Sequence, residues 1–417
     1  MSGFDTLGLP DTLVQATQAC GFTTPTPVQA EAIPQALTGR DVLATAQTGS
    51  GKTLAFVLSI LAQLDSLPRR TPRHTHALIL VPTRELAMQV NDTLLALAPG
   101  LSEPIRWACV FGGVSINPQM MALRGGAEIV VATPGRLLDL VEHNALHLNK
   151  VATLVLDEAD RLLDAGFADE LSRVLALLPA KRQHLFFSAT FPPAVQALAQ
   201  GLLHDAVRIE VPHTEAEAPD IEQHAIEVDA AQRTPLLRHL IAQEGWRQVL
   251  VFVATRYACD HVADKLRRNG IDAAAFHADA SQRARSETLA AFKAGTLQVL
   301  VATDLAARGI DIAQLPAVVN YDLPRAAVDY VHRIGRTARA GASGVAVSFV
   351  TADTAAHFRL IEKRQGQRVP REHVPGFEPT PTVEPSSATQ DDGGTGGIKG
   401  RRKSKKDKLR EAAARGS

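Results

Sequence analysis

Two short stretches of this chain carry side chains whose types and spacing suit phosphate chemistry. The first is AQTGSGKT, residues 46–53. Gly49 and Gly51 allow a tight turn, and the backbone amides of Ala46, Gln47, Thr48, Gly49, Ser50 and Gly51 then face phosphate oxygens. Lys52 adds a point charge at the terminal phosphates, and the Thr53 hydroxyl is placed for Mg²⁺. The strict pattern begins with Gly, and here that position is Ala46. The second stretch is TLVLDEAD, residues 153–160. A buried strand ends there in adjacent carboxylates. Asp157 can hold the metal through water, and Glu158 can polarise an attacking water, because phosphoryl transfer needs positioning and charge compensation above all. Asp160 could equally cap a helix. The pair gains weight from its place, 105 residues after Lys52 and at the end of another strand. In open α/β sheets, ligands bind beyond the carboxyl ends of strands.

Such residues need a scaffold that delivers strand ends to one edge, and the chain has the pattern for it. Short apolar runs occur at 42–45, 77–81, 106–111, 128–132, 153–156 and 184–188, and again at 249–254, 273–276, 298–302, 317–321 and 345–350. Each leads into a polar or Gly-rich turn and a helical pattern. Runs apolar on both faces suit parallel strands covered by helices on each side, so strand-helix alternation predicts doubly wound α/β domains. The polar segment VPHTEAEAPD, 211–220, reads as the end of a first domain and a linker. The expected division is a first domain at 1–211, a linker at 212–220, a second domain at 221–366 and a disordered tail at 367–417. The tail contains low-complexity EPTPTVEPSSATQDDGGTGG followed by basic GIKGRRKSKKDKLR.

Composition limits the alternatives. Of 417 residues, 45% are apolar and 21% charged, which excludes a wholly disordered chain, a collagen-like fibre and a pure coiled coil. No apolar run reaches the roughly 18 residues that span a bilayer, and the N-terminus lacks a signal-peptide pattern, so a cytoplasmic location is expected. Cys20, Cys109 and Cys259 have no metal-ligand spacing and form no disulfide framework. Formal net charge is zero but uneven. Residues 398–417 hold nine Lys or Arg against two Asp or Glu, and the first 397 hold 35 against 42. An acidic body argues against nucleic-acid binding over the whole surface and allows local basic grooves and a basic tail.

Seven motifs then occur in order: AQTGSGKT, PTREL (82–86), TPGR (133–136), DEAD (157–160), SAT (188–190), ATDLAARGID (302–311) and HRIGRTAR (332–339). The chain resembles a DEAD-box RNA helicase of superfamily 2 over about residues 4–351. Its compact core and short basic tail resemble the bacterial RhlE-type branch. The resemblance implies two tandem RecA-like domains, ATP and Mg²⁺ as cofactors, and RNA as partner.

It also implies roles for particular residues. In GFTTPTPVQ, 21–29, Gln29 corresponds to the residue that reads the adenine edge, and Phe4 to an upstream aromatic stacked on the base. RNA contacts fall to Pro82, Thr83, Arg84, Gly112, Gly113, Thr133 and Arg136 in the first domain. In the second they fall to Gln282, Arg285, Thr303 and Arg308. Ser188 and Thr190 would bond to the DEAD segment and couple ATP state to RNA opening, although a Ser or Thr ending a strand is otherwise an ordinary helix cap. Arg336 and Arg339 correspond to arginine fingers, which reach the terminal phosphates only when the domains close. His332 and Arg333 would link their segment to DEAD and SAT, and Asp311 would contact the ribose. Two positions depart from the pattern: Ala338 and Ala278 stand where Gly is usual.

The resulting expectation is an ATP-dependent RNA helicase or ribonucleoprotein remodeller acting on single-stranded RNA or short duplexes. An RNA clamp without productive unwinding shares the same closed state. A DNA-unwinding relative is disfavoured by GFTTPTPVQ combined with DEAD. Ribosomal precursors, or the machinery of RNA degradation, would be compatible partners. Purified protein is expected to show ATPase activity raised strongly by RNA. Equal stimulation by DNA of the same sequence would refute the RNA assignment.

Overall fold

The computed structural model of the chain describes residues 3–46, 49–68, 71–164, 166–211, 221–307, 312, 315–337 and 343–380. Two seven-stranded sheets organise them. The first contains β1 (Val42–Thr45), β2 (Ala77–Leu80), β3 (Trp107–Val110), β4 (Ile129–Ala132), β5 (Thr153–Leu156), β6 (Gln183–Ser188) and β7 (Val207–Glu210). Their order is β3-β4-β2-β5-β6-β1-β7, and every pairing is parallel. The second contains β8 (Ile221–Glu227), β9 (Val249–Val253), β10 (Ala273–Phe276), β11 (Val299–Thr303), β12 (Ala317–Asn320), β13 (Gly344–Val350) and β14 (Arg371–Glu372). Its order is β10-β11-β9-β12-β13-β8-β14, again parallel throughout. Strand for strand this is the first order again, so the two halves share one topology.

Alternation of side chains across each sheet builds apolar packing on both of its faces. In β1, Val42 and Ala44 join one apolar cluster and Leu43 the other. In β9, Val249, Val251 and Val253 face one side, and Leu250 and Phe252 the other. Helices cover both faces, as continuous apolar runs require. Phe56 of the helix Lys52–Asp65, for example, meets Phe187 of β6 with ring centroids 5.5 Å apart.

Three strands do not show as apolar runs. β7 (VRIE) lies at a sheet edge, and β8 (IEQHAIE) is only partly covered. β14 extends the second sheet beyond residue 366, where composition suggests that the fold ends. It pairs with β8 through Arg371–Ala225 and Glu372–Ile226. Val369 is buried beside it, and Arg371 bonds Glu362 at 3.0 and 2.9 Å. Ion pairing replaces apolar content there, so hydropathy carries no signal. Residues 212–220 and 381–417 lie outside the described residues. Among the described residues, no helix is long and apolar enough to cross a membrane.

Asp41 anchors the first sheet just before β1. Its carboxylate accepts from the His184 amide (2.7 Å) and ring Nδ1 (3.2 Å) in β6, and from the His204 amide (2.9 Å). All of these groups are buried or half-buried, and an unmet buried donor costs free energy. Asp41→Ala should therefore destabilise the first domain by about 3 kcal/mol, since two backbone donors lose their acceptor. A urea midpoint unchanged from the parent would refute this role.

Candidate active site and nucleic-acid groove

Parallel register brings the chemistry-bearing strand ends together. Thr45 at the end of β1 pairs with Ser188 at the end of β6, and Leu156 at the end of β5 pairs with Phe186. The phosphate loop, the DEAD segment and SAT therefore leave one edge side by side. Gly49 and Gly51 both have left-handed backbones, φ 86° and 91°. A Cβ on Gly51 would also collide with the Gln29 carboxamide. The helix Lys52–Asp65 follows, and Lys52 Nζ donates to the Ala46 carbonyl at 2.7 Å. Gln47 and Thr48 lie outside the described residues.

Gln29 is buried behind this loop. Its Nε2 donates to the Gly51 carbonyl (3.0 Å), its Oε1 accepts from the Thr26 amide (2.9 Å), and the Thr26 hydroxyl donates to the Ser50 carbonyl (2.7 Å). One carboxamide thus joins the helix Pro27–Leu37 to the phosphate loop and keeps one donor and one lone pair for a base edge. Phe4 differs from expectation. It is 2% exposed and packs in the first-domain core with Leu7 and Leu13, so its ring offers no face to a base in this conformation. The apolar surface around residues 4–7 gives the ring a dry site of its own.

Three carboxylates are buried in the DEAD segment: Asp157, Glu158 and Asp160. Burial pushes the Asp157 carboxyl up to about 7, Lys52 pulls it back, and Glu158 pushes it further. A cation beside it would favour the ionised form. Among the described residues no cluster of three or more His, Cys, Asp or Glu is placed to hold a metal. The donor set fits an ion like Mg²⁺, which is held by one carboxylate and by phosphate oxygens and water. Glu158 has a left-handed backbone, φ 49°, with its amide on Asp157 Oδ1 at 2.9 Å. Such a conformation is costly for a non-glycine residue. Asp160 accepts from the Thr190 hydroxyl (2.6 Å) and amide (3.1 Å), and its own amide donates to Ser188 Oγ (3.3 Å). Ser188 in turn donates to the Thr190 carbonyl at 2.7 Å. Asp160 is therefore a junction with SAT, and its other oxygen accepts from the Arg161 amide in the first turn of its own helix at 3.1 Å.

The second domain closes the other side. Glu158, Arg161, Asp304, His332, Arg333 and Arg336 wall one small cavity. Burial holds the His332 imidazole far down, at about 3, with Arg161 also lowering it and Asp160 opposing, so it faces the DEAD segment as a neutral ring. Arg333 does not link to DEAD or SAT as expected. It forms a two-pronged pair with Asp304 (2.6 and 2.7 Å), bonds Asn320 and the Asp322 carbonyl, and lies over Phe252. A buried guanidinium with these partners braces its own domain. Sequence reasoning missed Arg161. It is 4% exposed and reaches Asp329 of the helix Ala327–Ile334 at 2.6 Å, across the cleft. Arg308, Asp311, Ala338 and Arg339 lie outside the described residues.

A groove on the same edge is lined from the first domain by Pro82, Thr83, Arg84, Gly112, Gly113, Thr133 and Arg136. Ala278, Arg285, Leu305 and Ala306 line it from the second. Thr83 caps the helix Arg84–Leu97, accepting from the Leu86 amide at 3.3 Å. Gly113, φ 77°, leaves the room that the Arg84 guanidinium fills. Arg84 donates to Gln282 Oε1 (2.7 Å), and Arg285 pairs with Glu85 (2.5 Å), both across the cleft. Arg136 donates to the Val114 carbonyl at 2.7 Å, while its buried Nη1 has no hydrogen-bond partner among the described residues. Thr303 ends β11 on this edge, paired with Val253.

Two parallel α/β domains, with a phosphate loop and a buried carboxylate cluster on one and Arg336 walling a cavity with Glu158 from the other, define a two-domain RecA-like nucleotide-binding protein. Comparison with known proteins specifies it. Residues 26–198 match the DEAD/DEAH box helicase family and residues 232–341 the helicase conserved C-terminal domain. DEAD-box ATP-dependent RNA helicase 30 of Arabidopsis thaliana is 41% identical over 95% of this chain and 66% of its own length. The chain thus spans just under two thirds of that relative. DEAD-box ATP-dependent RNA helicase CshA of Bacillus cereus is 38% identical over 91% of this chain and 71% of its own. Dbp5 of S. cerevisiae bound to RNA and ADP BeF3 superposes with TM-score 0.79 at 32% identity, covering 91% of this chain and 96% of that one. A Dbp5 variant bound to a Gle1 variant and IP6 gives 0.68 at the same identity, over 91% and 95%. The chain belongs to the DEAD-box ATP-dependent RNA helicases.

The Arg161–Asp329 pair is a measurable link in this closed arrangement. Arg161→Ala and Asp329→Ala should each raise several-fold the RNA concentration that half-saturates ATPase activity. Their combination should be no worse than the poorer single variant, a coupling of about 1–2 kcal/mol. Strict additivity in the double-mutant cycle would refute the link.

Proposed function

We propose that this helicase works as two half-sites that are inert apart and become an ATPase when RNA draws them together. ATP is bound by the 46–53 loop, with Lys52 on the terminal phosphates and Gln29 on the adenine edge. Asp157 and Thr53 would hold Mg²⁺, which supplies compensation for phosphate charge. Glu158 orients and polarises the attacking water. Arg336, with Arg339, completes the charge compensation from the second domain, and Asp311 meets the ribose. Ser188 and Thr190, through Asp160, transmit the state of the nucleotide site to the RNA groove. The carrying observation is the cavity that Glu158 and Arg336 wall from opposite domains.

Single-stranded RNA runs in the groove lined by Pro82, Thr83, Arg84, Gly112, Gly113, Thr133, Arg136 and Arg285, with Gln282, Thr303 and Arg308 from the second domain. The Dbp5 structure solved with RNA and nucleotide is more similar to this chain than the one solved with Gle1, which supports reading the arrangement as the closed state. Contacts of this kind fall on phosphates and 2′-hydroxyls, so base specificity is low. Closure grips one strand of a short duplex and expels the other, and hydrolysis reopens the cleft. The basic segment Lys399 to Arg410 tethers RNA electrostatically. The reading extends to an RhlE-type branch acting in the cytoplasm. Ribosomal precursors, or the machinery of RNA degradation, are its partners.

Arg336→Ala and Glu158→Gln test the two half-sites separately. Each should lower RNA-stimulated kcat at least a hundredfold, in keeping with the weight of an arginine finger or a water-positioning group in phosphoryl transfer. Binding of a fluorescent ATP analogue and of single-stranded RNA should change little. Turnover at the parent rate in both variants would sink the two-half-site reading.

A further inference from the structure

The ring of Tyr257 is 77% exposed, more than any other large apolar side chain among the described residues. A single exposed ring is ordinary on a protein surface, so its place in the fold decides what it can do. Tyr257 lies in the first turn of the helix Arg256–Arg267, which follows β9. Four residues on, on the same helix face, is His261. The two rings are stacked, with centroids 5.7 Å apart and planes 12° from parallel. His261 thus holds the tyrosine ring flat and leaves its outer face open to solvent.

Register places this two-ring surface at the rim of the nucleic-acid groove. β9 pairs with β11 so that Val253 sits opposite Thr303, and β11 pairs with β10 so that Ala302 sits opposite Phe276. The carboxyl ends of all three strands open on one edge. Leu305 and Ala306 follow β11, Ala278 follows β10, and all three line the groove. Arg256, the residue before Tyr257, is ion-paired with Asp279, the residue after Ala278. This pair ties the start of the tyrosine-bearing helix to the groove wall. The groove's polar lining holds the Thr83 and Thr133 hydroxyls and the Arg84, Arg136 and Arg285 guanidiniums, which suit phosphate, together with the Glu85 and Asp139 carboxylates. Phe167 is the one aromatic ring among the described lining residues, and it packs against the apolar core of the first domain.

We propose that Tyr257, backed by His261, is a stacking platform for one unpaired nucleobase of the RNA strand where it leaves the groove over the second domain. The proposal rests on the reading of the groove as the RNA path. A base stacked on an aromatic ring adds affinity without sequence selection, because every base has a π-face. The platform would hold the gripped strand beyond the backbone contacts and keep it from re-pairing with the expelled one. It calls on no group assigned to ATP hydrolysis.

The test compares the parent with Tyr257→Ala and Tyr257→Phe on single-stranded RNAs of about five and about ten nucleotides, in the presence of a non-hydrolysable ATP analogue. Tyr257→Ala should bind the longer RNA about tenfold more weakly, within the range for one stacked base. It should bind the shorter RNA, confined to the groove, as the parent does. Tyr257→Phe keeps the ring and should behave as the parent with both. 2-Aminopurine placed at successive positions of the longer RNA should be quenched at one position, and that quenching should vanish in Tyr257→Ala. RNA-free ATPase activity and thermal midpoint should stay at parental values. Equal affinity of Tyr257→Ala and parent for the longer RNA, with no position losing its quenching, would overturn the platform and leave the groove intact. Failure of the parent to bind either RNA would instead overturn the groove reading.

Discussion

Three carboxylates lie buried within four residues of one another at Asp157, Glu158 and Asp160, and everything around them answers that charge. Desolvated like charges are tolerated only with hydrogen bonds or cations beside them. Asp160 is met by Thr190 and Ser188 from the neighbouring strand end. Asp157 is met by Lys52, whose pull does not outweigh burial. Glu158 faces a cavity walled by Arg161 of its own domain and by Arg333 and Arg336 of the other. Guanidiniums of both domains thus share this cavity, and in the proposed function nucleotide and a cation complete the site.

The shared topology explains how one domain supplies what the other lacks. β5 and β12 occupy the same place in their sheets. After β5 the chain presents carboxylates; after β12 it presents His332, Arg333 and Arg336 on and just beyond the helix Ala327–Ile334. One architectural slot thus carries opposite charge in the two copies. The slot that follows β1 holds the phosphate loop, while its counterpart after β8 reads VDAAQR, without glycine or lysine. Only the first domain can cradle phosphates through a glycine turn. The second contributes cations, and the two surfaces are complementary because they share one geometry.

Much of this was legible in the chain. Continuous apolar runs marked the inner strands of both sheets, and the loop and DEAD segments announced phosphate chemistry by residue type and by place after a strand. The missing strands, β7, β8 and β14, are peripheral or charged, so their stability comes from pairing and ion pairs that hydropathy does not register. Arg161 was invisible for a different reason. In sequence it is one more arginine after an acidic cluster, and its partner Asp329 lies 168 residues away. Only tertiary closure distinguishes it from a solvated helix residue. Arg333 shows the reverse: its motif suggested a link across the cleft, but Asp304 and Asn320 are nearer and satisfy its donors within the domain. Phe4 shows how a dry cavity can compete with a ligand for an aromatic ring.

Gly113 carries a consequence of another kind. Its α-hydrogen borders the space taken by the Arg84 guanidinium, which also rests 5.9 Å from the Phe111 ring and reaches Gln282 in the opposite domain. A side chain added at position 113 would be strained by its left-handed backbone and would push the far end of Arg84 aside, away from Gln282. Selection for the glycine and selection for the contact between domains therefore coincide.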